Sequence, residues 1–355
     1  MRFYVGTYSQ RGSKGIYAFD LDPATGAANL AGTADGVRNP SFVAPSHDGK
    51  FLYAVAETND GPDHSGAVAA LSVPNGTGAP VLLNQQPSRG SDPCHVSIDR
   101  HRKCALVANY SSGTVAVLPI AADGRLLAAT TVIQDRDASG VNPGRQEGPH
   151  AHSINIDPSG RFVTVADLGC DRLFVYKFDA KRGTLTPNDP ALVKTEPGAG
   201  PRHVAFAPDS RHAYAINEMA STIVTYAYDA RRGAFSERQR ISTLPAGWKG
   251  QNTTAEVCVH PSGKFVYGTN RGHDSIAAFA VDPGNGTLHE IGLFSANGKT
   301  PRGMGIDPTG TFLLTANQDS DNLSVFRVSP ADGRLASVGG ISVPAAVCIA
   351  FVPGA

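Results

Sequence analysis

Histidine, arginine and glutamate side chains stand beside apolar segments from about residue 150 onward. His152, Arg202 and Arg302 each precede an apolar segment, whereas Glu218 and Arg271 each follow one. A guanidinium group binds phosphate or carboxylate through two parallel hydrogen bonds, and a neighbouring histidine can remove a proton near neutral pH. These residue types predict a site for an anionic small molecule, with a histidine as the candidate base.

Spacing places these residues at equivalent points of a repeated unit. The unit consists of an apolar strand, a turn such as Asp-Pro-x-Gly, a second strand, a polar loop and a third strand followed by a turn ending Gly-x-Leu. The residues that head the first turns lie 45 to 58 residues apart, which is typical of one four-stranded propeller blade. They are His47, Arg100, Pro158, Pro208, Pro261, Pro308 and Pro353.

Offsets from these turn residues predict where the polar side chains meet. The first strand of a blade lies innermost and the second runs antiparallel to it, so the start of one and the end of the other share one face of the disc. His152, Arg202 and Arg302 all stand six residues before the turn. The other candidates follow the turn by nine or ten residues or lie close by: Asp167, Asn217, Glu218, Asn270, Arg271 and Gln318, with His150 and Glu256. We expect this set to surround one end of the central channel.

Several of these candidates also have a purely structural alternative. Asp and Asn at strand ends often cap turns through side-chain hydrogen bonds, which applies to Asp167 and to Asn317. Arg271 could pair with Glu218 or Glu256 without touching a ligand, and His150 could serve only to orient His152. Convergence of complementary charges on one axis favours a functional site over these alternatives.

The two ends of the chain predict how the ring closes. Residues 344–352 read as a first strand with no second strand after it, and residues 1–8 read as a second strand with no first strand before it. Together they complete a blade, which removes the open edge that a ring of sheets would expose. The sequence therefore predicts an all-β, seven-bladed propeller formed by a single domain over residues 1–355.

Composition argues against several classes of function. Lys plus Arg and Asp plus Glu both number 31, so no basic excess indicates nucleic acid or an anionic membrane as a partner. The five cysteines form no CxxC pair, and no His, Cys or Asp cluster has metal-ligand spacing. We expect a cytoplasmic protein without a signal peptide, metal or cofactor, and leave open whether it is a monomer or a weak dimer.

Taken together, seven motifs resemble the seven-bladed propeller lactonases along essentially the whole chain. They are Gly148-Pro-His-Ala-His-Ser, Ala166-Asp-Leu-Gly-Cys-Asp-Arg, Gly200-Pro-Arg-His, Ile216-Asn-Glu, Thr254-Ala-Glu, Thr269-Asn-Arg-Gly-His-Asp and Ala316-Asn-Gln. That family includes bacterial propeller-type 6-phosphogluconolactonases and a fungal carboxy-cis,cis-muconate cyclase. The resemblance implies catalytic roles for His152, Arg202, Glu218 and Arg271, with His150 the alternative to His152 as the base.

The expected activity is hydrolysis of a sugar-acid lactone, with 6-phospho-D-glucono-1,5-lactone as the leading substrate. His152 would be the general base, Arg202 and Arg271 would hold the phosphate or the oxyanion, and Glu218 would orient an arginine or the water. Two alternatives stay open, a muconate-type lactonising enzyme and a non-enzymatic interaction scaffold. The loops that begin at Asp60 and Asp135 are where specificity is expected to differ within the family.

Overall fold

The computed structural model describes residues 1–74 and 78–353, and these form seven sheets of four antiparallel strands each. The predicted seven-bladed β-propeller is confirmed. Short 3₁₀ turns occur at Pro62–His64 and Gln318–Ser320. First strands of neighbouring blades contact one another all the way round, so they line the central channel.

The four strands of every blade are ordered from the channel outward, beginning with the innermost. Blades 1 to 4 are β28(Ala346–Phe351), β1(Arg2–Thr7), β2(Ile16–Leu21) and β3(Ala28–Ala34); β4(Val43–Pro45), β5(Phe51–Ala56), β6(Ala67–Ser72) and β7(Val81–Pro87); β8(Pro93–Ile98), β9(Cys104–Asn109), β10(Thr114–Pro119) and β11(Thr131–Gln134); β12(Ala151–Ile156), β13(Phe162–Asp167), β14(Arg172–Asp179) and β15(Thr184–Lys194). Blades 5 to 7 are β16(Pro201–Phe206), β17(His212–Asn217), β18(Thr222–Asp229) and β19(Ala234–Ser242); β20(Thr253–Val259), β21(Phe265–Arg271), β22(Ser275–Val281) and β23(Leu288–Ser295); β24(Pro301–Ile306), β25(Phe312–Asn317), β26(Asn322–Val328) and β27(Leu335–Ser342).

The C-terminal strand closes the ring as the split repeat predicts. Strand β28 pairs antiparallel with β1, with Phe3 opposite Phe351 and Val5 opposite Ile349. The Phe3 and Phe351 rings also pack at 5.2 Å between centroids. Backbone hydrogen bonds and side-chain packing together therefore join the two ends of the chain.

The hydrophobic core is divided among the contacts between neighbouring blades. Each of seven buried clusters combines side chains from two adjacent sheets, for example Tyr4 with Leu52 and Phe3 with Phe312. Strands buried on both faces are rich in apolar and β-branched residues, as the repeat requires. Because every blade is stabilised by both neighbours, the ring holds the channel-lining strands in fixed relative positions.

Tight turns between the first and second strands give the repeated unit its constant offsets. In blade 4 the Asp157 carboxylate accepts hydrogen bonds from the backbone N–H groups of Arg161 and Phe162, both at 2.9 Å. Gly160 within this turn has a φ of 71°, which a glycine adopts without strain. The short polar turn thus returns the chain directly, and the ends of the two strands meet at the opposite face.

Candidate active site

A break in strand register frees the channel-facing residue at the start of the innermost strands. In β12, Ala151 pairs with Asp167 and Ser153 pairs with Ala166, so His152 is left between two paired positions. The same shift leaves out Cys94 in β8, Arg202 in β16 and Arg302 in β24. Such β-bulges commonly re-aim a side chain beside an active site. The repeated bulge explains why these side chains turn toward the central channel.

At the end of the second strand, two consecutive residues have different roles: the first hydrogen-bonds within its own blade, and the second faces the channel. The residue nine after the turn is an asparagine in four blades, and its amide donates to a hydroxyl at the start of the third strand at 2.9 to 3.1 Å. These asparagines are Asn109, Asn217, Asn270 and Asn317. The next residue lies on the other side of the backbone and lines the cavity in four blades. These lining residues are Glu57, Tyr110, Glu218 and Arg271.

A cavity of about 300 Å³ opens where these elements converge. Its lining combines ring positions, strand ends and one residue from an interblade loop. The lining residues are Glu57, Cys94, Tyr110, Arg145, His152, Glu218, Thr253, Arg271 and Arg302. Three arginines and two glutamates in a single small cavity suit a polar, anionic ligand.

Glu218 is the hub of the charged groups in this cavity. Its Oε2 accepts from Arg202 Nε at 3.0 Å and lies 2.9 Å from Arg271 Nη2, and its Oε1 accepts from Arg145 Nη2 at 2.6 Å. The side chain is only 5% exposed. Burial raises the pKa of Glu218, but the charges of Arg271 and Arg202 outweigh burial and lower it to about 2. Glu218 is therefore a permanent carboxylate that holds three guanidinium groups.

Arg302 differs from the other three arginines because it donates no hydrogen bond to residues 1–74 or 78–353. Its guanidinium carbon lies 5.6 Å from the centroid of the Tyr8 ring, and Tyr8 donates its phenol proton to Glu57 at 3.0 Å. Burial opposes the charge of Arg302, but Tyr8 and Glu57 raise its pKa above the ordinary range. All five N–H donors of this charged group remain available to a ligand.

His152 is buried against the arginines and is neutral at physiological pH. Burial lowers the pKa of His152 well below its ordinary value, and the positive charge of Arg202 lowers it further. Its Nε2 lies 3.8 Å from Glu218 Oε2 and its Nδ1 lies 3.8 Å from Cys94 Sγ. The separation from Glu218 is too long for a hydrogen bond, and a thiol is at best a weak partner. A ring nitrogen with a lone pair is therefore available to accept a proton.

Arg202 is held in place by a chain of buried polar groups beneath the cavity. It donates from Nη1 to the carbonyl oxygen of Ala255 at 2.6 Å and to His203 Nε2 at 3.1 Å. Since arginine can only donate, the proton of His203 is on Nδ1, which donates to Glu256 Oε1 at 2.7 Å. Burial raises the pKa of Glu256 to about 7. An inner cavity of about 10 Å³ beside these groups has room for about one water molecule.

A second groove of similar volume lies between blades 1 and 2 but offers little chemistry. Its charged lining groups are Arg38 and Asp60, which pair with each other at 2.5 Å on the surface. Over the described ranges, no cluster of three or more His, Cys, Asp or Glu residues could hold a metal ion. Within the same ranges, no helix has the length and apolar character needed to cross a bilayer.

Comparison with known proteins agrees with the geometry. The family model described as lactonase, 7-bladed beta-propeller, matches residues 2–351. The chain belongs to this family. It is 37% identical to a 6-phosphogluconolactonase of Bacillus subtilis (strain 168) over 305 residues, covering 86% of this chain and 84% of that protein.

Two further relatives of this lactonase-family chain extend the comparison. A 6-phosphogluconolactonase of Formosa agariphila is 31% identical over 316 residues, with 86% of each protein covered. The structure of a periplasmic gluconolactonase of Pseudomonas aeruginosa superimposes with a TM-score of 0.91 at 32% identity, covering 98% of each chain. Enzymes named for phosphorylated and unphosphorylated lactones thus share the fold.

In this member of the lactonase family, the four residues predicted as catalytic come together. Arg202 and Arg271 both contact Glu218, and His152 lies 3.8 Å from the same carboxylate. Arg302 lines the main cavity with His152, Glu218 and Arg271, and Arg202 lines the inner cavity. The alternative that Arg271 serves only in an ion pair is correct in part. Arg271 does bind Glu218, but it also lines the cavity.

The remaining predicted residues lie around the cavity rather than in its lining. Asp167, Asn217 and Asn270 are fully or nearly fully buried, and Asp167 Oδ1 accepts from the backbone N–H groups of His150 and Cys170. His150 stacks on the Tyr110 ring at 4.6 Å. Glu256 lines only the inner cavity. Gln318 begins a short 3₁₀ turn, and its backbone carbonyl oxygen accepts from Arg11.

Six residues in or beside the cavity were not among the candidates predicted from sequence, and one of them is Thr253 at the start of β20. Cys94, Glu57 and Tyr110 occupy the offsets of minus six and plus ten in blades 2 and 3, where the turn motif is weak. The offset rule would have found them if it had been applied to those copies. Tyr8 stands at the equivalent point of the split blade. Arg145 lies in the loop before β12 and has no counterpart in the repeat.

Proposed function

We propose that this protein hydrolyses 6-phospho-D-glucono-1,5-lactone to 6-phosphogluconate. The observation that carries the proposal is the juxtaposition of a neutral, buried His152 with Arg302, a partly buried guanidinium group that no residue of the described chain hydrogen-bonds. A base and an unused anion-binding group in one cavity are what lactone opening requires. Membership of the lactonase family and the names of the Bacillus and Formosa relatives support the same reaction.

In the proposed reaction, His152 accepts a proton from water while the water oxygen bonds to the lactone carbonyl carbon. The carbonyl oxygen becomes an oxyanion, which the N–H donors of Arg302 stabilise. The bond between the carbonyl carbon and the ring oxygen then breaks, and the proton passes from His152 to the ring oxygen, which leaves as a hydroxyl group. The product is the open-chain hydroxy acid, and His152 is again neutral.

Glu218 is unsuited to be the base because its pKa of about 2 leaves it with little affinity for a proton. Its role in the proposal is to hold Arg202 beneath the cavity and Arg271 in its lining, so that both supply fixed positive charge to the bound anion. Glu256 acts at one remove, through His203, on the position of Arg202. His150 supports the wall of the cavity by stacking on Tyr110.

The scheme needs no metal, since an imidazole base and guanidinium groups perform both chemical tasks. We also propose a cytoplasmic location, which the five unpaired cysteines favour. The product would there enter the pentose phosphate pathway. Because the Pseudomonas relative is named as periplasmic, cell fractionation followed by detection of the protein is the direct test of this location.

The decisive experiment compares the purified protein on 6-phosphogluconolactone and gluconolactone, with the spontaneous hydrolysis rate subtracted at each pH. We expect catalysed hydrolysis of the phosphorylated lactone with the higher kcat/KM. Arg302→Ala should lower kcat/KM about ten- to a hundredfold, since a hydrogen bond to a charged group contributes about 1.5–3 kcal/mol. No rate above background on the phosphorylated lactone would rule the proposal out.

A further inference from the structure

We propose that Arg145 binds the phosphate group of the substrate and thereby determines the preference for a phosphorylated lactone. This inference rests on the proposed function, and it assigns a role to a residue that lies outside the blade repeat. It also assigns opposite ends of the cavity to the two ends of the substrate.

The guanidinium group of Arg145 is only partly used by the protein. One nitrogen, Nη2, donates to Glu218 Oε1 at 2.6 Å and to the Tyr110 hydroxyl at 3.2 Å. Nε and Nη1 donate to no group within residues 1–74 and 78–353. The side chain is 39% exposed, against 5% for Glu218 and 3% for Arg202, so Arg145 stands at the outer end of the cluster. Nε and Nη1 do not share an edge of the guanidinium group, but together they leave three N–H donors, each of which can give a charge-assisted hydrogen bond to a phosphate oxygen.

The backbone that carries Arg145 is held firmly against blade 4. Gln146 donates from its amide to the carbonyl oxygen of Leu168 at 2.8 Å, and its carbonyl oxygen accepts from Gly140 N at 3.0 Å. Ser139 donates to Asp171 Oδ2 at 2.5 Å on the same side of the loop. A guanidinium group on a fixed loop loses less conformational entropy on binding a ligand than one on a mobile segment.

The cavity has an inner and an outer end, so the lactone carbonyl and the phosphate group can be bound at different places. Arg302, Cys94 and Glu57 line both the main cavity and the small inner cavity, so they mark the inner end. Arg145 lines only the main cavity. The inner cavity, at about 10 Å³, has room for one water but not for a phosphate group. With the carbonyl at Arg302, the phosphate at the far end of the lactone falls to the outer end.

Charge at the outer end matches a phosphate monoester. Arg145 and Arg271 line the main cavity but not the inner one, and they share the negative charge of Glu218 with the deeper Arg202, which leaves the outer end positively charged. A phosphate monoester carries about −1.5 to −2 at pH 7. An unphosphorylated lactone would leave this charge uncompensated and would therefore bind to the same site more weakly.

The test measures kcat/KM for 6-phosphogluconolactone and for gluconolactone in wild type, Arg145→Ala, Arg145→Lys and Arg136→Ala. Arg136 lies in the same loop with an exposed side chain outside the cavity, so it controls for loss of charge alone. We expect Arg145→Ala to lower the ratio of the two constants about ten- to a hundredfold, mainly through KM for the phosphorylated substrate. Arg145→Lys should recover part of the ratio and Arg136→Ala should keep it.

Inhibition by 6-phosphogluconate and by gluconate gives a second readout that does not depend on turnover. Arg145→Ala should weaken inhibition by the phosphorylated acid by a similar factor and change inhibition by gluconate far less. A wild-type enzyme with no preference for the phosphorylated lactone would overturn the proposed function itself. A wild-type preference that survives in Arg145→Ala, or that is lost only in Arg302→Ala, would overturn the role of Arg145 and reverse the orientation of the substrate.

Discussion

Replacing Glu218 with glutamine should destabilise the protein by about 3 kcal/mol at neutral pH. Glutamine resembles the protonated form of the carboxyl group, so the lowered pKa measures what the negative charge contributes. The pKa of Glu218 falls from 4.5 to about 2, although burial by itself raises it, because Arg271 and Arg202 outweigh burial. Lowering a pKa by one pH unit corresponds to about 1.36 kcal/mol, and the side chain is too buried for solvent to screen the interaction. Loss of one partner of a buried ion pair typically costs about 3–5 kcal/mol, which agrees.

The contribution of Glu218 should depend on pH with a definite sign. A carboxyl group whose folded pKa is lowered stabilises the protein above its ordinary pKa, and this stabilisation is lost as the pH falls through the folded value. The difference between wild type and Glu218→Gln should therefore be largest above about pH 5 and should shrink between pH 4.5 and 2.

The assay is urea unfolding of wild type and Glu218→Gln at several pH values, with refolding verified at each. Glu196→Gln is the matched control, because Glu196 also pairs with an arginine, Arg240, but is 52% exposed. An exposed pair contributes about 0–1 kcal/mol, so this control should change stability little. A difference below about 1 kcal/mol for Glu218→Gln, or one that is independent of pH, would refute the description of Glu218 as the hub of the arginines.

Four further predictions concern the base, the ring, a buried carboxyl pair and metals. His152→Ala should lose about 10²–10⁴-fold in kcat with the melting temperature nearly unchanged, and His150→Ala should lose less. Because burial and Arg202 lower the pKa of His152, the wild-type rate should decline with acid only below pH 6.5; a decline centred above that value would point to another base. Deletion of residues 344–355 should abolish the cooperative unfolding transition measured by circular dichroism, since it removes β28 and opens the ring; a folded truncated protein would contradict the closure. Between about pH 4 and pH 8, the free energy of unfolding should fall less with rising pH in Asp135→Asn than in wild type. Burial and then Asp167 raise the pKa of Asp135, so the folded state binds its proton more tightly than the unfolded chain, and urea midpoints that fall in parallel for both proteins would exclude this. EDTA should leave turnover unchanged, and activity that is lost in EDTA and restored by a divalent ion would show that a metal takes part.

The sequence was sufficient to predict the blades, their number and the closure of the ring. Turn residues such as Asp157 and Gly160 act locally, and the apolar runs between them have the length and residue types of strands. Local rules of this kind repeat with the unit, so the offset of six residues correctly aligned His152 with Arg202 and Arg302 at the channel. The same rule applied to the weak copies would have reached Cys94 and Tyr110.

Only the tertiary structure decided which of two adjacent polar residues belongs to the site. Asn217 ends β17 and Glu218 follows it directly, but Asn217 donates to Thr222 within the blade and Glu218 faces three arginines. Strand alternation sends neighbours to opposite sides, and the β-bulge at Arg202 then sets the direction of the channel-facing side chain. Neither the side to which a strand-end residue points nor the position of the β-bulge can be assigned from one copy of the repeat.

The charges of the site were likewise decided by contacts between distant parts of the chain. Glu218 meets Arg145, 73 residues away, and Arg202, 16 residues away. The pKa of each group depends on burial and on the sum of neighbouring charges, which exist only once the ring has closed. Residue types alone therefore indicated an anionic ligand and a histidine base. The folded ring determined that Glu218 holds three arginines, that Arg302 lines the cavity without a hydrogen bond to the described residues, and that a loop outside the repeat supplies Arg145.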